Sequence, residues 1–328
     1  MSESRFPFTS SPKGWFAVAL SRELEPGQVL PVKAFEKDLV LFRGEDGKPA
    51  LLGAYCPHMG AHLGHGGKVV ENTIKCPFHA WQFDGTGGCT KIPYSERIPP
   101  KAKVRPWSIM ERNGMILAWN DIEGGAPEWE VPVIPEIGSD EWTDFEVREW
   151  DIRTHSMDMA ENQVDVAHFQ YLHGTLDYPE SEASVDGHIM RVFSKAGMGT
   201  KQGAVAGSIE STSYGFGFNT IRFKGIVETL LVTSVTPTDA EHVHVRFCFM
   251  VKKSLGAALD KGVGKAFIAE VSRQLEQDIP VWENKAFVHP PMLCEGDGPI
   301  PLFRKWLRQF FPAGTFDNIN VTAESHNA

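Results

Sequence analysis

Between Trp15 and Asn120 the apolar positions come in short β-branched or aromatic runs: WFAVAL, LVLFR, ALLGAY, TIKCPF and MILAWN. Turn signals such as Glu45-Asp46-Gly47 and Asp84-Gly85 separate them, which predicts a small antiparallel β domain. Residues 123–140 carry Gly124, Gly125, Pro127, Pro132, Pro135 and Gly138 with little periodicity and read as a linker. Beyond them FEVREWDIRTH alternates as a strand does. Asp158 with Glu161 three residues later resembles a capping box opening a helix over about residues 159–173, and Gly174 supplies its stop. Residues 188–250 return to strand-like runs, a helical pattern covers about 264–287, and the amphipathic IPLFRKWLRQFF precedes a polar tail. Strands grouped apart from helices predict an α+β chain, with one domain over 12–122, a linker over 123–140 and a second domain over 141–328.

Length agrees with two domains, because 328 residues exceed the roughly 250–300 at which a single core stops growing. With 32 basic and 42 acidic residues the net charge is −10, so a nucleic-acid backbone or an anionic bilayer is not an expected partner. No apolar run approaches the ~18 residues of a membrane span. The start MSESRFPFTSSPKG lacks the basic-then-apolar order of a signal peptide, so a cytoplasmic location is expected. The cysteines at 56, 76, 89, 248 and 294 lack the density of a disulfide scaffold, and Cys248 within VRFCFM reads as a buried thiol. Gly262-Val263-Gly264-Lys265 lacks the upstream Gly and the Ser/Thr of a phosphate loop, and no GxGxxG follows a strand. Nicotinamide or flavin chemistry is therefore expected from another protein.

Two constellations carry chemistry. The first is Cys56-Pro57-His58 followed by Cys76-Pro77-Phe78-His79. Two thiols and two imidazoles on two loops can hold one tetrahedral zinc, or a [2Fe–2S] cluster in which two His replace two Cys on one iron. Structural zinc loops usually take a CxxC turn. A CxH pair lets each loop give sulfur to one iron and nitrogen to the other, which favours the cluster. The second is Glu161-Asn162-x-x-Asp165-x-x-His168-x-x-x-x-His173, in which Asn162, Asp165 and His168 share a helix face. His168 and His173 would stand about 140° apart on a regular helix, so both face one ion only if the helix ends or bends between them. His242 and His244 read as partly exposed strand residues and not as a further metal site.

CPHMGAHLGHGG and IKCPFHAWQFDGTGGC resemble the Rieske domain of aromatic-ring and steroid Rieske oxygenases. Respiratory Rieske proteins add two cysteines that pair beside the cluster; Ala61 and Phe78 stand there, so the resemblance implies the low-potential oxygenase type. His62 and His65 are left with surface or supporting roles. The helix motif resembles the mononuclear-iron site of the same oxygenases, with His168 and His173 as ligands. Gln277-Asp278-Ile279-Pro280-Val281-Trp282 resembles the segment that supplies the carboxylate, which implies Asp278 as third ligand, with Glu276 and Glu283 as nearby alternatives. Pro280 is expected to break the helix there by removing a backbone donor.

CTKIPYSERIP, HFQYLHGT and DIPVWENKAF resemble the steroid-acting branch, 3-ketosteroid 9α-hydroxylase oxygenase components and cholesterol 7-desaturases. The resemblance implies a helix-grip-like second domain and a terminal monooxygenase that hydroxylates an apolar, steroid-like substrate with O2. Its electrons would come from a separate NAD(P)H-dependent reductase, with or without a ferredoxin. Its metals would be a [2Fe–2S] cluster on Cys56, His58, Cys76 and His79, and Fe(II) on His168, His173 and Asp278. It also implies a homotrimer in which Asp165 orients His168 and reaches a cluster His of the next chain. Sterol desaturation is the alternative within the family, and a Rieske electron carrier without a second iron is the alternative outside it. Met157, Phe169, Tyr171, Phe216, Phe218, Ile221 and Phe223 are candidates for an apolar pocket or for plain core.

Overall fold

The computed structural model describes residues 5–8, 10–175, 178–200, 203–225, 227–253, 257–317, 319 and 321. The chain forms two compact units. One spans Trp15–Val133, and the other joins Met1–Gly14 to Ile134–Ala328.

The smaller unit is built from β1 (Gly14–Leu20), β2 (Val29–Ala34), β3 (Lys37–Arg43), β4 (Pro49–Gly53), β5 (Lys68–Val70), β6 (Thr73–Lys75), β7 (Gln82–Asp84), β8 (Cys89–Lys91), β9 (Ile109–Arg112) and β10 (Met115–Asn120). They make three small sheets, ordered β1-β10-β9, β2-β3-β4 and β5-β6-β7-β8. The hairpins fall at the predicted turns: Gly47 closes β3–β4 with its N–H on the Gly44 carbonyl, and Asp84 receives the N–H groups of Thr86 and Gly88 between β7 and β8. Phe42, Leu52, Leu63, Ile74 and Phe83 fill a core that extends to Cys56 and Cys76. The first part of the expected linker packs on this unit, where Arg112 and Asn113 bond the carbonyls of Val131 and Pro132.

The larger unit contains β11 (Glu146–Ile152), α1 (Ser156–Glu161), α2 (Ala167–Tyr171), β12 (Glu180–Asp186), β13 (Ile189–Thr200), β14 (Gly203–Tyr214), β15 (Phe218–Lys224), β16 (Thr229–Pro237), β17 (Val243–Val251), α3 (Ala257–Asn284) and α4 (Ile300–Leu307). One seven-stranded sheet runs β11-β17-β16-β15-β14-β13-β12, and every pairing in it is antiparallel. Long α3 lies on the sheet through Ile268, Leu275 and Trp282, one residue every two turns, so one helical stripe enters two patches of the core. This is the α+β, helix-on-sheet arrangement expected.

Three local expectations are corrected. The predicted single helix over 159–173 is two short helices, because the Glu161 carbonyl takes the N–H groups of both Val164 and Asp165 and the chain turns at 162–166. Asp158 and Glu161 do not form a capping box. His155 caps α1 through Nδ1 on the Met157 N–H, while Asp158 and Glu161 are buried against Lys285 and Arg304. Pro280 does not end α3, which continues to Asn284. Trp282 is anchored in the core, and Arg5 holds the carbonyls of Trp282, Glu283 and Lys285, so tertiary contacts hold the segment beyond Pro280 although one backbone bond is lost there.

Candidate functional site

The β4–β5 and β6–β7 loops share one geometry. Cys56 N–H bonds the Ala61 carbonyl and the Cys56 carbonyl takes the Gly60 N–H; Cys76 N–H bonds the Trp81 carbonyl and the Cys76 carbonyl takes the Ala80 N–H. Gly60 sits at φ +75°, a left-handed position that suits glycine. Gly67 closes the first loop so tightly that a Cβ there would lie 2.0 Å from the Leu63 carbonyl oxygen. Both thiols are buried, and burial pushes the Cys56 thiol up to about 11 while the His58 N–H opposes the rise. The His58 and His79 rings lie 4.6 Å apart, and Trp81 stacks on His58 at 4.7 Å. His58 Nδ1 is buried with no hydrogen-bond partner, an orphaned donor atom of the kind a metal satisfies. These four residues fit a Rieske cluster, and none of the cysteines is in a disulfide. His62 is used locally, its Nδ1 accepting the Gly64 N–H.

In the larger unit His168, His173 and Asp278 bring their ligand atoms within 4.8 Å of one another, the one such set of three among the described residues. The two histidines meet because the turn after α2 is widened. His173 N–H bonds the His168 carbonyl, five residues back, so the five-residue spacing closes about one turn in place of 1.4. Gly174, at φ +73°, then lets the chain leave. His173 Nδ1 lies 3.1 Å from Gln277 Oε1 and His168 Nδ1 lies 2.5 Å from the Asp165 backbone oxygen. Each Nδ1 therefore carries the proton, and Nε2 is turned toward Asp278 in His173 and toward the Asn162 amide in His168. The Asn162 amide bridges His168 Nε2 at 3.1 Å and Asp278 Oδ2 at 3.2 Å. Burial opposes a charged His173, yet the Asp278 carboxylate holds its pKa above the ordinary imidazole value, so the site favours positive charge. Two imidazoles and one carboxylate, with nothing cationic among them, fit a divalent iron with open positions. Glu276 is exposed and Glu283 is outside the cluster, which leaves Asp278 as the carboxylate in place.

Asp165 differs from its expected role in one respect. Its backbone oxygen, not its carboxylate, meets His168 Nδ1; the carboxylate is 3.8 Å away and instead accepts the N–H groups of Ala167 and His168 at the start of α2. Burial alone would raise this carboxyl, but the His168 ring and those N–H groups hold it below its usual range. Its side chain is 39% exposed, so part of it faces outward.

A cavity of about 210 Å³ opens on the triad. Phe169, Phe216, Phe218, Ile221 and Phe223 line it as candidates, whereas Met157 is core and Tyr171 is exposed. Gln277 and Asn162 as supports of the triad, and Trp81 as a plate under His58, carried no pattern in the sequence that marked those roles. His242 and His244 bond Asp239 and Asp151.

A β unit with paired Cys/His loops and a helix-on-sheet unit with a two-histidine, one-carboxylate cluster define the class of Rieske non-haem iron oxygenases. Residues 14–105 match the Rieske [2Fe-2S] domain and residues 118–311 match the 3-ketosteroid 9alpha-hydroxylase C-terminal domain. A 3-ketosteroid-9-alpha-monooxygenase oxygenase component of Rhodococcus rhodochrous is 34% identical over 326 residues, covering 91% of this chain and 82% of the relative. Cholesterol 7-desaturase nvd 1 of Ciona intestinalis is 34% identical over 330 residues, covering 92% and 68%. Among solved structures, the Pseudomonas putida CBB5 NdmA QL mutant with caffeine superposes with a TM-score of 0.73 at 23% identity, over 90% of this chain and 89% of that one. Dicamba monooxygenase bound to dicamba gives 0.70 at 20% identity, over 90% and 96%. The chain belongs to the Rieske oxygenases whose C-terminal domain is of the 3-ketosteroid 9α-hydroxylase type. It is thus the oxygenase component of an iron-dependent monooxygenase, with a [2Fe–2S] cluster and a mononuclear iron as its cofactors.

Proposed function

We propose that this oxygenase hydroxylates an apolar, neutral, steroid-like substrate, taking two electrons and two protons per turnover with one O2 and releasing one water. The observation that carries the reading is the cavity on the triad, walled largely by aromatic and aliphatic side chains and with no Lys or Arg among the described residues that line it. A charged acid would enter it unpaired, whereas a polycyclic hydrocarbon frame would bury its surface. Similarity to relatives named for steroid and sterol chemistry supports the same class.

Cys56, His58, Cys76 and His79 would hold the cluster, and His168, His173 and Asp278 the iron. When bound, these groups supply one-electron transfer and dioxygen activation. The chain itself does three things. Gln277 and the Asp165 carbonyl fix the imidazole protons at Nδ1, the Asn162 amide holds the Asp278 carboxylate in place, and the apolar wall excludes water around the reacting C–H. Electrons would come from a separate NAD(P)H-dependent reductase, directly or through a ferredoxin, in the cytoplasm. Among the described residues no helix is long and apolar enough to cross a membrane. We further propose a homotrimer, in which the outward part of the Asp165 carboxylate accepts a hydrogen bond from His79 of a neighbouring chain.

The test is turnover of a panel of steroids and of small aromatic acids with a generic reductase, read by product mass. A steroid gaining one oxygen supports the reading. A product lighter by two hydrogens makes the enzyme a desaturase, and turnover confined to an aromatic acid refutes the substrate class.

A further inference from the structure

The cavity wall is not uniformly apolar. Ser213 on β14, Asn219 on β15 and Thr233 on β16 are directly paired across the sheet, so they form one polar row on its inner face, with Ser211 two residues along β14. Gln163, from the turn between α1 and α2, reaches down to this row. Its Oε1 accepts from Ser213 Oγ at 2.9 Å and lies 3.3 Å from Ser211 Oγ, and the Asn219 amide donates to Ser211 at 3.1 Å. Two serines from the sheet thus hold the amide at its Oε1. Among the described residues its Nε2 has no hydrogen-bond partner, and Gln163 is one of the residues that line the cavity. Isoleucine and leucine fill the adjoining positions, Ile221 and Leu231, so a ligand oxygen meeting the half-buried amide would find a hydrogen-bond donor in otherwise apolar surroundings.

We propose that Gln163, held by Ser213 and Ser211, is the specificity-determining anchor for a neutral oxygen on the substrate, a ketone or hydroxyl that accepts the Gln163 Nε2 hydrogen bond. The anchor rests on the reading of the cavity as the substrate site and narrows it: the substrate is an apolar frame bearing an uncharged oxygen. Gln163 follows Asn162, which touches His168 and Asp278, so one turn sets both the metal ligands and the point from which the substrate is hung. Gln163 itself hydrogen-bonds none of the three metal ligands among the described residues and acts by positioning substrate.

The test is equilibrium dialysis on the anaerobic, iron-loaded protein with matched probes: 5α-androstane, its 3-ketone and its 3-hydroxyl, and decalin with 2-decalone. Wild type is expected to bind each ketone or alcohol roughly tenfold more tightly than its parent hydrocarbon, beyond the difference in their water solubility. In Gln163→Leu that ratio falls to about one while hydrocarbon affinity holds or improves, an outcome that a mere folding defect would not give. Ser213→Ala is expected to reduce the ratio partly, by freeing the amide. A retained ratio for decalone with no steroid binding would keep the anchor and remove the steroid-sized substrate. Equal binding of oxygenated and parent probes in wild type, an unchanged ratio in Gln163→Leu, or no binding of any oxygenated probe overturns the anchor.

Discussion

The turn that assembles the triad stands on a buried ion pair, and cutting one side of that pair is the most informative perturbation of stability. Glu161 ends α1 and its carbonyl makes the 162–166 turn; its carboxylate takes Arg304 through Nε and Nη2 at 3.0 Å, with side-chain exposures of 10% and 16%. Arg304→Met keeps the apolar stem but strands the carboxylate in the core, a loss of roughly 3–5 kcal/mol. For a unit of this size that is a fall in Tm on the order of 10 °C. The pH dependence has a definite sign. Burial raises the Glu161 carboxyl above its ordinary 4.5 even with Arg304 opposing, and removing the cation raises it further. A folded state that holds its proton longer than the unfolded one loses stability as pH rises toward the folded value. Wild type and variant share that loss up to the wild-type carboxyl's own raised value, and beyond it only the variant keeps losing, so its deficit grows at pH above that raised value and shrinks in acid. Adding Glu161→Gln removes the stranded charge and should restore at least half of the loss. The assay is thermal unfolding followed by tryptophan fluorescence at fixed scan rate across pH. A deficit below about 1 kcal/mol, or one that does not vary with pH, would refute the reasoning.

Replacing His79 by Ala is expected to abolish visible absorption while the larger unit stays folded, as its near-UV dichroism would show; an intact spectrum removes His79 from the ligand set. Gly67→Ala forces a Cβ against the Leu63 carbonyl and should bleach the cluster and destabilise its unit by ~2 kcal/mol or more, read by absorbance during thermal unfolding. Asp165→Asn should retain both metals yet slow cluster reoxidation in a single turnover of reduced, substrate-bound trimer. Wild-type-like reoxidation, or full activity in a dilute monomer, would remove the bridge between chains.

The cluster loops were legible because their chemistry is local: each Cys/His pair lies within three residues, and the glycines that shape the loop stand beside it. The histidine pair was legible as residues but not as geometry, since the widened turn that unites them is a backbone event that side-chain pattern does not encode. Asp158 and Glu161 look like cap residues along the chain, and only the fold shows that distant Lys285 and Arg304 claim them. The edge strand β12, ESEASVD, is mostly exposed and so lacked the apolar alternation that marked its neighbours. The N-terminal segment carried no local sign that Phe6 and Phe8 would be buried or that Arg5 would hold the end of α3. The polar row under Gln163 is spread over three strands and a turn, and only register brings it together.

Metal content tests the central claim most directly, that one chain carries both a Rieske cluster and a separate iron on His168, His173 and Asp278. Protein purified anaerobically with iron and sulfide should hold about three iron and about two acid-labile sulfide per chain. Asp278→Ala should hold about two of each, with the visible spectrum unchanged. Two iron in the wild type, or a third iron that survives loss of Asp278, would contradict it.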